Sequence, residues 1–197
     1  MLLKLQKNKE FNLIIKKFYK KYREEILDII LFGSTIRGKE KPNDIDILII
    51  FKNKEDLDVS YELRKKLEKF YKTQITSKTY ETLLDSNFMA RESILAEGYS
   101  LIRKEFMANS FAFQNFSLFQ YDLKGFSQSR RMQLQYALYG RNTKGIVQEL
   151  KLIKFANSMF LCPIELSEHF KEFLNAWKIK YSNYPVLYPS RMIPKPL

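Results

Sequence analysis

Asp44 and Asp46, one residue apart, are the pair in this chain best placed to do chemistry. They open the apolar run Ile47-Leu48-Ile49-Ile50, which reads as a strand. On a strand, positions i and i+2 point to one face. The two carboxylates therefore project side by side, an arrangement that holds a hard divalent cation, Mg²⁺ or Mn²⁺, through oxygen. Ahead of them, Gly33 and Ser34 close another apolar run, Ile29 to Phe32. A Gly-Ser turn after a strand can bring backbone N–H groups up to a phosphate. Phosphate cradle and carboxylate pair together suit metal-assisted chemistry on a phosphorylated substrate.

The elements that must position these groups follow from periodicity. Residues 9–28 carry Phe11, Ile15, Phe18, Tyr22, Ile26 and Leu27 at helical spacing, with basic residues between them. A short helix is expected near Thr35–Gly38, then a Lys-Pro-Asn loop and a strand over Asp44–Phe51. Residues 56–71 read as an amphipathic helix capped by Asp58 or Ser60. A third strand is expected at Gln74–Thr76, and one or two helices over 79–97. Ile94–Lys104 reads as a helix, a turn at Gly98 and a last short strand.

The run LFGSTIRGKEKPNDIDILII, residues 31–50, with Arg37-Gly38 between the Gly-Ser turn and the Asp-x-Asp pair, resembles the signature of the DNA polymerase beta-like nucleotidyltransferase superfamily. It looks most like the minimal nucleotidyltransferases of archaea and bacteria, over residues 11–105. The resemblance implies an α+β fold, a small mixed sheet with flanking helices. It implies that Asp44 and Asp46 bind the metal and are catalytic. Gly33 and Ser34 would hold the triphosphate, ATP above all, and Arg37 would neutralise phosphate charge, although its position also suits a helix-surface salt bridge. The superfamily's third carboxylate, on a later strand, has no counterpart here: the matching position is Gln74, and no acidic residue lies between Glu68 and Glu81. An amide offers one neutral oxygen and cannot act as a base.

The chain has 197 residues, 45% of them hydrophobic, one cysteine (Cys162) and one histidine (His169). A Cys-clustered zinc site and a His-rich site are excluded. No apolar run reaches the length of a membrane span, and the start lacks a signal-peptide core, so a cytoplasmic location is expected. Net charge is +12, which suits a polyanionic partner but equally reflects a Lys-rich composition. Residues 106–197 hold 12 basic and only 5 acidic groups.

Two domains are expected, 1–105 and a smaller α+β domain over 106–197 with winged-helix-like proportions. In the second, Phe111–Tyr121 favours strand. Ser127–Arg141 reads as a helix ending at Gly140, and Thr143–Ile153 as a second helix. Ser158–Cys162 should form a strand, Pro163–Ala176 a helix, Trp177–Tyr181 a strand, and the proline-rich tail an extended segment. Arg130, Arg131, Arg141 and Lys144 flank Tyr136 and Tyr139, a mix of phosphate-neutralising and base-stacking side chains that suits tRNA or another structured RNA. The same apolar residues would equally serve as core.

Three functional readings stay open. One is nucleotidyl transfer to an RNA or protein hydroxyl. The second is a degenerate nucleotidyltransferase fold that binds RNA without turnover. The third is an antitoxin-type minimal nucleotidyltransferase with a protein partner.

Overall fold

The computed structural model describes residues 2–39 and 42–193. The chain divides into two compact units, Met1–Phe111 and Ala112–Leu197.

The first unit starts with helices α1 (Leu2–Lys7) and α2 (Lys9–Tyr22). β1 (Ile26–Phe32), a 3₁₀ turn (Gly33–Thr35), β2 (Ile45–Phe51), α3 (Leu57–Leu67) and β3 (Thr73–Thr79) follow. It closes with α4 (Tyr80–Leu83), α5 (Arg91–Glu97), β4 (Tyr99–Ser100) and β5 (Glu105–Phe106). The sheet runs β3-β2-β1-β4-β5; β2 and β3 are parallel and the other pairs antiparallel. β1 and β2 read as near-continuous apolar runs because they are central and covered on both faces. Ile30, Leu48 and Ile50 join Leu83, Ile94 and Met107 on one face. The alternate residues Ile29, Leu31, Ile47 and Ile49 point the other way. There α2 and α3 lie, with Phe11, Ile15 and Phe18 and with Val59, Leu63 and Leu67 buried.

Several expected boundaries move: the short helix expected near Thr35–Gly38 is the 3₁₀ turn Gly33–Thr35, and the strand expected at Gln74–Thr76 runs over Thr73–Thr79. Ile26 and Leu27 belong to β1, because Ile26 pairs with Phe51 across the sheet; a stretch of apolar residues fits a helix stripe and a buried strand equally well. The α3 cap is Asp56, whose side chain accepts from the Val59 N–H at 3.0 Å, rather than Asp58 or Ser60. β2 begins at Ile45, leaving Asp44 just ahead of it.

At the far end of β1, Asp28 ties β4 and its following turn to the sheet. Its carboxylate accepts from the Ile29 N–H and the Ser100 hydroxyl, both at 2.8 Å, and pairs with Arg103 at 3.0 Å. Burial nonetheless holds its carboxyl above the usual carboxylate range. Asp28→Ala strands three donors, two of them buried, and is expected to cost about 2–3 kcal/mol, read as a lower denaturant midpoint.

The second unit runs β6 (Phe113–Asp122), α6 (Gln128–Tyr139), α7 (Ile146–Glu149), β7 (Ile153–Ala156), β8 (Met159–Pro163), α8 (Ser167–Ala176), β9 (Lys180–Pro189). Its sheet, ordered β7-β8-β6-β9, is antiparallel throughout. A βαββαβ chain with this strand order is the split-βαβ, ferredoxin-like arrangement; it replaces the winged-helix proportions expected from sequence. Phe119, Phe160 and Phe170 form its centre, ring edge to ring face at 4.9 and 5.9 Å, with Leu134 and Leu138 of α6 and Leu174 of α8 around them.

α6 starts on Ser127 and stops at Gly140, whose φ of +84° suits glycine. The helix expected over Thr143–Ile153 contracts to α7, because Ile153 pairs with Leu161 and opens β7. Pro163 ends β8, and α8 begins at Ser167. β9 reaches well past Tyr181 and takes up Pro185 and Pro189; it pairs along all of β6 and forms an edge of the sheet. Among the described residues no helix is long and apolar enough to cross a membrane.

Candidate active site

The sheet brings the polar residues of the Gly-Ser and Asp-x-Asp runs to one end. β1 and β2 pair Phe32 with Asp46, so the 3₁₀ turn that follows β1 lies against the Asp46 side chain. Gly33 has φ +77°, and a Cβ placed on it would stand 2.4 Å from Asp46 Oδ2. Glycine is therefore required twice, for the left-handed backbone and for room beside the carboxylate. Gly33→Ala is expected to destabilise the unit by about 1–2 kcal/mol and to push the Asp46 carboxylate out of place; thermal melting and Mn²⁺ titration read the two effects separately. Ser34 is half-buried. Thr35 is fully buried, and among the described residues its hydroxyl has no hydrogen-bond partner.

Asp44 and Asp46 flank the buried Ile45. The Asp46 carboxyl sits above the usual carboxylate range: burial is the main cause, the negative charge of Asp44 adds to it, and Arg37 pulls the other way. Two like charges this close are relieved by a cation between them. The parallel register pairs Asp46 with Gln74, so residue 74 stands beside the carboxylates, and its Nε2 donates to Asp44 Oδ2. Among the described residues there is no group of three or more His, Cys, Asp or Glu able to hold a metal. Two carboxylates and an amide make a donor set for a hard cation.

Arg37 leaves the turn and meets Glu97 at the end of α5, with Nη1 at 2.8 and 3.1 Å from the two carboxylate oxygens. Glu97 is 4% exposed. Arg37 is thus salt-bridged, with a buried partner rather than on a helix surface, and its charge also acts on Asp46. Sequence reading passed over Glu97. The signal was there: an acidic residue at a helix C-terminus, against the dipole, immediately before Gly98.

In the second unit the α6 residues part company. Arg130 Nη2 donates to the Trp177 carbonyl at 2.8 Å, and its guanidinium lies 4.2 Å from the Phe126 ring centre. Arg131 donates to the Phe126 and Leu123 carbonyls at 3.2 and 3.3 Å. Tyr139 is half-buried against Phe160. Tyr136 is 42% exposed, with the Arg141 guanidinium 5.2 Å from its ring centre, and Lys144 is exposed. The two arginines thus brace their own fold, and the tyrosines divide between core and surface.

Residues 14–106 match the family model described as polymerase beta, nucleotidyltransferase. The first unit belongs to the polymerase beta-like nucleotidyltransferase superfamily. No curated protein matches the chain. Solved structures similar to it include a toxin–antitoxin complex with AMP-PNP, at 22% identity over 46% of this chain and 71% of that one, TM-score 0.36. Another is a tri-AMPylated Shewanella oneidensis HEPN toxin with its MNT antitoxin, at 17% identity over 64% of this chain and 88% of that one, TM-score 0.32.

Proposed function

We propose that the protein is a nucleotidyltransferase that moves a nucleoside monophosphate from a nucleoside triphosphate, ATP foremost, to an acceptor hydroxyl. The observation that carries this reading is the seating of Gly33 against Asp46, with Asp44 beside it, inside a domain of the matching family. In the reaction the hydroxyl oxygen bonds to the alpha-phosphorus and releases its proton to solvent, the bond to the bridging oxygen breaks, and pyrophosphate leaves with that electron pair. The backbone of the Gly33–Ser34 turn would hold the triphosphate, and Arg37, steadied by Glu97, would offset its charge. Asp44 and Asp46 would hold one divalent cation, Mg²⁺ or Mn²⁺, which when bound neutralises developing negative charge.

A second reading is favoured by one observation: Gln74 occupies the position beside Asp46 and hydrogen-bonds Asp44. A domain with that replacement can bind nucleotide without turning it over. Incubation with α-³²P-labelled ATP, GTP, CTP and UTP, Mg²⁺ or Mn²⁺, and the proteins and RNAs of the source cell separates the two. Label transferred by the wild type and lost in Asp46→Asn supports transfer. Cation-dependent ATP binding with no label under any condition supports the binding-only reading.

A further inference from the structure

The second unit contains a cavity of about 510 Å³ to which the first unit contributes nothing. That volume is in the range of small-molecule sites. Its apolar walls come from Phe116 of β6, Tyr139 at the end of α6, and Leu152 and Pro163. Leu152 is 4% exposed and belongs to the core around Phe160, and Tyr139 packs half-buried against the same core, so this part of the wall is held in place. The exposed rim is different in kind. Gln114 and Gln148 bring two amides, each able to donate and accept, and Lys151 and Lys154 bring two positive charges. No carboxylate lines the cavity, and neither lysine has an ion-pair partner among the described residues.

We propose that this cavity binds one nucleotide unit, its base against the apolar wall at Tyr139 and Leu152 with the amides at the base edge, and its phosphate at Lys151 and Lys154. The parts match piece by piece. An apolar wall carrying a tyrosine takes a flat base, amides pair with the donors and acceptors of its edge, and unpaired lysines take the anion. A fatty acid would leave both amides without a role. The second half of the chain, with its surplus of basic over acidic residues, adds a favourable field for any phosphate. The unit belongs either to a free nucleotide or to the end of a single-stranded RNA. The site is independent of nucleotidyl transfer in the first unit.

Lys151 also supplies a clean test. It follows α7 with φ +52°, and the Leu152 N–H reaches back to the Val147 carbonyl at 2.8 Å. This is a helix stop at which glycine is the usual residue. Lys151→Gly therefore removes the charge while easing the backbone, and its melting temperature should hold or rise. Binding is measured in EDTA, which removes any cation from the first unit. The probes are AMP, and a 5′-fluorescein hexaadenylate read by anisotropy. Lys151→Gly and Lys154→Gln are each expected to weaken binding about 5-fold, and Asp46→Asn to leave it unchanged. Equal affinity for AMP and the hexanucleotide assigns a free nucleotide. Tighter, salt-sensitive binding of the hexanucleotide, competed by AMP, assigns an RNA end. The proposal is overturned if neither probe binds at millimolar concentration, if both lysine variants bind like wild type, or if Asp46→Asn abolishes binding.

Discussion

Asp46→Asn is expected to abolish nucleotidyl transfer, by on the order of 10³-fold or more, while making the metal-free protein more heat-stable. The two outcomes share a cause. Burial and the charge of Asp44 lift the Asp46 carboxyl in the folded protein above its value in the unfolded chain. The folded state thus favours the protonated form. Below the unfolded-state value Asp46 is neutral in both states and costs nothing; as pH rises through the folded-state value, the native protein must carry a charge it disfavours. The melting temperature of Asp46→Asn should therefore match wild type in acid and exceed it near neutrality. Saturating Mn²⁺ should reverse the order, because only the wild type gains stability by binding the ion. A variant that is less stable than wild type at pH 7 without metal would contradict this account of the site. A variant that still transfers nucleotide would contradict the role of Asp46.

Gln74→Asp is expected to gain function. Residue 74 is in register with Asp46 on the parallel neighbour strand, so a carboxylate there joins the existing pair without any rearrangement of the sheet. The substitution also removes the amide hydrogen bond that now occupies Asp44 Oδ2. The expected results are Mn²⁺ affinity raised by about 10-fold, a turnover increase of similar size, and a lower melting temperature without metal, since three like charges then share one strand end. Unchanged metal affinity would show that residue 74 faces away from the ion. Gln74→Ala, which removes the hydrogen bond but adds no charge, separates the two contributions.

Much of the first unit was legible because its signals are local. Gly33, Ser34, Asp44 and Asp46 lie within fourteen residues, and the apolar runs around them are strands with few alternatives. Gln74 was placed by position alone, and the β2–β3 register sets it beside Asp46. Glu97 was not found, because its partner Arg37 is 60 residues away and only the folded chain joins them. The second unit was harder for a related reason. Its strand order is set by pairings between β6 and two distant segments, β8 and β9, and no local pattern encodes which strands meet. Arg130 and Arg131 illustrate the limit: their carbonyl partners at Leu123, Phe126 and Trp177 are joined to them only in the folded chain.

The prolines of β9 have a consequence for how the protein behaves in crowded solution. A ten-residue strand at the edge of a sheet offers its backbone groups to any other chain that can lie alongside. Proline carries no N–H, so Pro185 and Pro189 interrupt that offer at two points spaced four residues apart while leaving the pairing with β6 intact. The same two residues that disguised the strand in the sequence therefore act as guards against strand-to-strand aggregation, and replacing them with valine would turn this edge into a seam for self-association.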